Sequence, residues 1–177
     1  MSLESLTPSP AASFDMPLAL LSACHQRILH FCDMLERLAV HIDNYGIDLQ
    51  ATETAKLINK YFSTAGQHHH EDEERDLFPL LLAHDNGLNS LLTRLTTAHH
   101  QLDSIWATLR PQLSSPAAID MNTDKFKALC QQFARANREH IMLENRELLP
   151  QAAVLLTSAD HESLGHAMAE RRGVPYS

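Results

Sequence analysis

A histidine and a glutamate recur at the same spacing in the two halves of the chain. His69 and Glu73 form the first pair, His140 and Glu144 form the second, and each pair is followed by Leu-apolar-Pro. A spacing of four places the imidazole and the carboxylate one above the other on one face of a helix. Because a glutamate on a core-facing stripe is costly unless it is paired or binds a cation, the repeat indicates a metal site.

Two further histidines lie on the apolar stripes of other predicted helices. His25 and His99 have apolar neighbours at the same five offsets, from seven residues before to ten residues after. His100 lies about 100° around the helix from His99. We therefore expect His99 to face the core and His100 to lie in an outer layer or at the surface.

The same register argument separates the three consecutive histidines at 68–70. His69 continues the stripe of Phe62 and Ala65 and is predicted to point inward, whereas His68 and His70 are predicted to flank that face as solvated residues. The neighbouring acidic residues are predicted to form a solvated face, and they are Glu71, Asp72, Glu74 and Asp76.

Four imidazoles and two carboxylates suit two divalent cations, with iron, manganese or zinc preferred over magnesium or calcium. The carboxylates could bridge the metals and two histidines could terminate each, which leaves coordination positions open for a small ligand. Other motifs do not fit. The Glu-x-x-His pattern of ferritin-like bundles is absent, since Gly66 and Asn137 occupy its glutamate positions, and HExxH is absent as well.

The rest of the sequence predicts the elements that must position these residues. Its 177 residues are 44% hydrophobic and only 6% aromatic, which favours one helical domain. We predict an all-α, antiparallel up-down-up-down four-helix bundle with a short extra C-terminal helix. Helices are predicted over about 17–42, 48–84, 88–113, 123–150 and 158–172, with Pro79 bending or breaking the second. The predicted units are a flexible arm at 1–14, the bundle at 15–155 and a short helix and tail at 156–177.

Charge and cysteine content limit the partners and the location. The net charge of −8, without a basic stripe, argues against nucleic acid and anionic membranes. No apolar run is long enough to span a bilayer, and the first 17 residues do not resemble a signal peptide. Cys24 and Cys32 are predicted to be buried thiols, and the three cysteines show no CxxC spacing, so we expect a cytoplasmic protein.

With this pattern the chain resembles the hemerythrin-like family, the HHE cation-binding domain, over roughly residues 16–152. The resemblance implies a non-haem di-iron centre, oxo- or hydroxo-bridged, with Glu73 and Glu144 as bridging carboxylates. It implies His25, His69, His99 and His140 as terminal ligands. Zinc or manganese is the alternative metal content.

The chain departs from the oxygen carriers of that family. In those carriers, the resemblance implies a fifth histidine on the third helix, four positions from the first. In this chain the positions four residues from His99 are Leu95 and Asp103. The carriers also place an aspartate where this chain has Asn145. A ligand set of four His and two Glu resembles more closely that of bacterial di-iron proteins linked to nitric oxide stress and iron–sulfur cluster repair. That subfamily often has an additional N-terminal segment with cysteines, which the short arm of this sequence lacks.

The expected function is therefore binding or sensing of a small diatomic, oxygen or nitric oxide, rather than catalysis. Two alternatives remain. One is an enzyme that reduces nitric oxide or peroxide, for which a redox partner protein must supply electrons. The other is iron donation to an iron–sulfur partner protein.

Overall fold

A computed structural model describes residues 13–116, 119 and 123–176, and every element in these ranges is helical. The predicted arm at 1–14 lies outside the described residues except for its last two positions. The elements, in chain order, are α1 (Pro17–Tyr45), α2 (Leu49–Phe62), α3 (Ala65–Glu71), a first π segment (Asp72–Leu77), α4 (Phe78–His84), a 3₁₀ turn (Asn86–Leu88), α5 (Asn89–Ser114), α6 (Thr123–Leu143), a second π segment (Glu144–Leu148), α7 (Leu149–Leu155) and α8 (Ser158–Arg171).

Neighbouring long helices run antiparallel. Along α1, Asp43 accepts a hydrogen bond from Lys127 and His25 contacts Asn145, so rising numbers on α1 meet falling numbers on the α6–α7 stretch. The other three neighbouring pairs show the same order. Between α1 and the α2–α3 stretch the contacts are Phe31–Tyr61 and His25–His69, and between the α2–π stretch and α5 they are Asn59–Ser114 and Glu74–His99. Between α5 and α6 they are Trp106–Phe133 and His99–His140. The predicted all-α bundle with an extra C-terminal helix is confirmed.

Helix ends follow local capping chemistry. The Asp48 side chain accepts from the backbone N–H of Ala51 and starts α2, while Thr157 and Asp160 form a capping box at α8. The predicted continuous helix at 48–84 is wrong in its interior, because Ser63 and Thr64 interrupt it. The Thr64 hydroxyl donates to the Lys60 carbonyl, a side-chain bond that competes with the helical ladder.

The structure shows a π segment before Pro79, where a bend or break was predicted, and a second π segment before Pro150. The Phe78 N–H donates to the carbonyl of Glu73, five residues back, and Leu149 repeats this bond with Glu144. Proline has no N–H and crowds the carbonyl four residues before it, and a widened turn accommodates both effects. Each glutamate of the repeat therefore lies in a π segment, a local geometry that is frequent at functional sites.

Two apolar clusters fill the interior on either side of a polar layer. On α1, Leu21 belongs to a leucine-rich cluster and Ile28 to a cluster rich in aromatic rings, with His25 between them. On α5, His99 lies in the same way between Leu95 and Leu102. The fold thus holds the predicted site residues in the middle of the bundle.

The C-terminal helix and the cysteines complete the core. Leu164 and Met168 of α8 are fully buried in the leucine-rich cluster. Cys32 is buried as predicted, whereas Cys24 is only partly buried, so that prediction is wrong for Cys24. Among the described helices, none has the combination of length and apolar content that crossing a bilayer requires.

Candidate metal centre

The structure brings the six predicted site residues together in one buried cluster. None of them is more than 5% exposed. Their side chains form two groups of four potential ligand atoms, and within each group these atoms all lie within 4.8 Å of one another. One group is His25, His69, Glu73 and Glu144, and the other is Glu73, His99, His140 and Glu144.

Each long helical stretch contributes one imidazole to the cluster. His25 on α1 and His69 on α3 meet edge to face with ring centroids 4.9 Å apart, and His99 on α5 and His140 on α6 do the same at 4.5 Å. The two π segments contribute the carboxylates. The cluster is therefore divided into two imidazole pairs, with both carboxylates common to the two groups.

Glu144 contacts histidines of both pairs. Its Oε2 lies 3.1 Å from His25 Nε2, and its Oε1 lies 2.8 Å from His140 Nε2 and 3.7 Å from His99 Nε2. The two oxygens of one carboxylate thus face different imidazole pairs, which is the placement that a bridging carboxylate needs.

Glu73 repeats this arrangement from the other side of the bundle. Its Oε1 lies 3.8 Å from His25 Nε2 and 3.6 Å from His69 Nε2, while its Oε2 lies 3.3 Å from His99 Nε2. Each carboxylate therefore directs its two oxygens toward different imidazole pairs.

Most side-chain polar atoms of the cluster have no protein partner of hydrogen-bonding geometry, and the exceptions are Nδ1 of His25 and Nδ1 of His99. Among the described residues, eleven buried side-chain nitrogen or oxygen atoms have no hydrogen-bond partner. Ten of them belong to the six cluster residues, and the eleventh is Nε1 of Trp106. Burying polar atoms without partners costs free energy. Ten such atoms in one place are therefore consistent with a cation site. Imidazole nitrogens with carboxylate oxygens are the donor set of iron, manganese and zinc.

Two of the imidazoles are oriented by outer contacts. Nδ1 of His25 lies 2.7 Å from Oδ1 of Asn145, and Nδ1 of His99 lies 2.5 Å from Oε1 of Glu74. An oxygen of either kind accepts, so each ring donates its Nδ1–H and keeps Nε2 directed at the cluster. Outer partners of this kind orient metal-binding histidines in general.

The carboxylates change the acidity of these rings. Burial disfavours the imidazolium of His25, but the adjacent Glu144 and Glu73 outweigh burial and raise its pKa to about 10. The same opposition raises the pKa of His99 to about 10. For His69 burial dominates and lowers the pKa. Despite burial, the neighbouring histidines hold the pKa of Glu144 well below its usual range. Against burial and the charge of Glu144, neighbouring histidines also lower the pKa of Glu73, so both carboxylates are charged, as ligands must be.

Residues next to the cluster agree with the sequence prediction only in part. His99 is buried and His100 exposed, as the register argument predicts. His70 is not a purely solvated residue, because its ring stacks on His99 with centroids 4.0 Å apart. Burial and the neighbouring imidazoles hold its pKa well below the usual range. Asp72 is fully buried and Glu74 contacts His99, so the predicted solvated face is wrong for both.

Comparisons with known proteins identify the family of the chain. An uncharacterized protein of Haemophilus influenzae is 28% identical over 172 residues, which covers 97% of this chain and 99% of that protein. The model of the hemerythrin HHE cation-binding domain matches residues 16–152, a range that contains all six cluster residues. Because this match spans most of the sequence, the chain belongs to the hemerythrin HHE cation-binding domain family.

Proposed function

We propose that the chain binds two iron ions at the six-residue cluster and uses them to bind or sense a small diatomic molecule, oxygen or nitric oxide. The observation that supports this proposal is the pair of buried donor groups that share Glu73 and Glu144. Each group offers two imidazoles and two carboxylates, a donor set close to that of non-haem iron sites with open positions. Iron would supply those open positions and its redox chemistry.

The protein residues have separate tasks in this proposal. Glu73 and Glu144 would hold both metals and balance their positive charge, and His25, His69, His99 and His140 would be the remaining protein ligands. Asn145 and Glu74 hold two of the rings with Nε2 facing inward. The apolar clusters cover the site on two sides along the bundle. We also propose a cytoplasmic location, where thiols such as Cys32 remain reduced.

Anaerobic reconstitution with ferrous iron tests the proposal. We expect about two iron ions per chain, as two donor groups require. On exposure to oxygen or nitric oxide, we expect new near-ultraviolet or visible absorption in proportion to bound iron. The Glu73→Ala/Glu144→Ala variant should show neither. Iron far below this content, with no spectral change, would refute the proposal.

The same preparation distinguishes the alternatives. Zinc or manganese retained in preference to iron after mixed-metal loading would change the metal assignment. Sustained consumption of nitric oxide or peroxide with an electron donor, above free-iron controls, would identify an enzyme. Transfer of iron to a cluster-free iron–sulfur protein would identify an iron donor.

A further inference from the structure

A pocket of about 480 Å³ opens from the surface onto the proposed centre. It lies between α3 with the first π segment on one side and α5 on the other. His99, one of the six cluster residues, lines it together with His70, Glu74 and Trp106. Among the described residues, this pocket reaches the cluster at His99, and a second surface pocket of about 520 Å³ reaches it at His140.

A second, smaller cavity adjoins this pocket. Its volume is about 30 Å³, and it shares four lining residues with the pocket, namely Gln67, His70, Asp103 and Trp106. The rest of its wall is mostly apolar, with Ile28, Phe62, Leu102 and Phe133. A cavity of this size has room for one or two water-sized molecules, and apolar cavities bind small apolar guests such as xenon. We call it the inner cavity.

Two residues of the shared wall have features that the six-residue cluster leaves unexplained. Trp106 is 8% exposed, and its Nε1 is the one buried side-chain nitrogen or oxygen outside the cluster, among the described residues, that lacks a hydrogen-bond partner. The His70 ring stacks on His99 and lies 5.9 Å, between centroids, from His140. One ring nitrogen of each of these three histidines lies within 4.8 Å of the others.

Resting on the proposed function, we propose that the pocket and the inner cavity are the entry route and holding site of the small ligand, and that Trp106 and His70 control them. The ligand class is a molecule of two or three atoms that carries a hydrogen-bond acceptor. The Trp106 Nε1–H donates to that acceptor in the inner cavity. The His70 ring stands against His99 and limits passage from the pocket to the centre. Both are positioning residues and neither is a metal ligand.

The chain has a single tryptophan, so its indole signals report on this place alone. Xenon and azide are the probes, added to zinc-loaded protein that is diamagnetic. We expect both to shift the indole N–H resonance of Trp106 in a saturable manner. Gly66→Ala adds a methyl group to the wall of the inner cavity, 3.3 Å from Phe62 Cδ1, and should weaken the xenon shift. An indole resonance that neither probe moves would overturn the proposal.

Azide binding to iron-loaded protein gives the second measurement. Loss of one hydrogen bond in Trp106→Phe should weaken azide binding about five- to tenfold. His70→Ala should raise the association rate about tenfold, a barrier change near 1.4 kcal/mol, and His70→Phe should lower it. Metal content should stay at the wild-type level in all three. His68→Ala is the matched control, because His68 lies outside both cavities, and it should change nothing.

The failures of the two proposals can be told apart. If wild-type protein binds no metal, the proposed function fails, whereas the xenon experiment on metal-free protein still tests the inner cavity. If metal and azide bind normally but the His70 and Trp106 variants behave like wild type, this inference fails and the proposed function stands. Loss of metal in His70→Ala would make His70 a ligand and would also overturn the inference.

Discussion

The fully buried carboxylate of Asp72 accepts a hydrogen bond from Nη2 of Arg172 at 2.6 Å, across 100 residues of sequence. Arg171 also donates to Asp72 and bonds Asp76 at 2.6 Å. Asp72 directly precedes Glu73 in the first π segment. The arginines at the end of α8 therefore bind the side chain next to a proposed bridging carboxylate. Both arginines lie beyond residue 152, where the family match ends, whereas Asp72 and Asp76 lie within it.

Removing both arginines should therefore destabilise the protein strongly. Arg171→Met with Arg172→Met leaves Asp72 as a buried charge without either arginine, at a cost of about 3–5 kcal/mol in the free energy of unfolding. Denaturant unfolding of metal-free protein measures this cost. Adding Asp72→Asn to the same chain should recover part of it, because the amide is neutral.

Arg75→Met is the control for that experiment. Arg75 pairs with Glu71 on the surface, and its side chain is 68% exposed. Its loss should change stability by less than about 0.5 kcal/mol. Equal losses from Arg75→Met and from the double arginine variant would show that the buried contact has no special weight.

The shared carboxylates lead to different stoichiometries for two ligand variants. Glu144 belongs to both donor groups, whereas His69 belongs to one. Glu144→Ala should therefore abolish binding of both metals, and His69→Ala should leave the His99–His140 group able to retain about one metal per chain. Metal analysis after desalting measures this. His68→Ala should retain the wild-type content, and equal losses in all three variants would contradict the assignment.

The contact between Glu74 and His99 predicts an effect on affinity rather than on stoichiometry. Glu74→Gln keeps the shape but weakens the acceptor for His99 Nδ1, and metal affinity should fall about 10- to 100-fold. Competition with a chelator measures the change. Glu53→Gln, an exposed carboxylate that pairs with Lys56 away from the cluster, should leave affinity unchanged. Unchanged affinity in Glu74→Gln would remove Glu74 from the site.

The inward direction of His25 and His99 was predictable from sequence because α-helical periodicity decides it. His25 and His99 follow apolar stripes of their own helices, and the structure buries both. The choice of His99 over His100 needed only the 100° step between adjacent residues. Where a residue's environment is set by its own helix, the pattern of one sequence is sufficient.

The misplaced residues owe their environment to other elements. Asp72 is buried because α8 returns and covers it with two arginines, and no periodicity around Asp72 reveals this. Glu74 lies in a π segment, whose extra residue changes the angular positions expected for an α-helix. His70 stacks on a ring from α5. Contacts between helices distant in sequence cannot be read from the spacing within one helix.

The raised pKa values of His25 and His99 predict that protons compete with metal at neutral pH. Both rings have pKa values near 10 in the metal-free protein, so both are protonated at pH 7.5. A histidine must be neutral to bind a metal, so loading should release about two protons per chain and apparent affinity should rise with pH. Acidification should therefore release the metal, because protons compete with it for the imidazole nitrogens.

The same shifts have a consequence for stability of opposite sign. Because the folded pKa values lie above the usual 6.5, the imidazolium–carboxylate pairs stabilise the metal-free fold fully below about pH 6.5. That contribution is lost as the pH rises toward 10, so the melting temperature of metal-free protein should fall over this range. Titration with zinc in the presence of an indicator dye measures the number of protons released. Calorimetry measures the melting temperature of the metal-free protein as a function of pH. Glu144→Gln, which removes a carboxylate beside both rings, should reduce the fall in the melting temperature of metal-free protein over this range. Zinc binding without proton release would contradict the prediction.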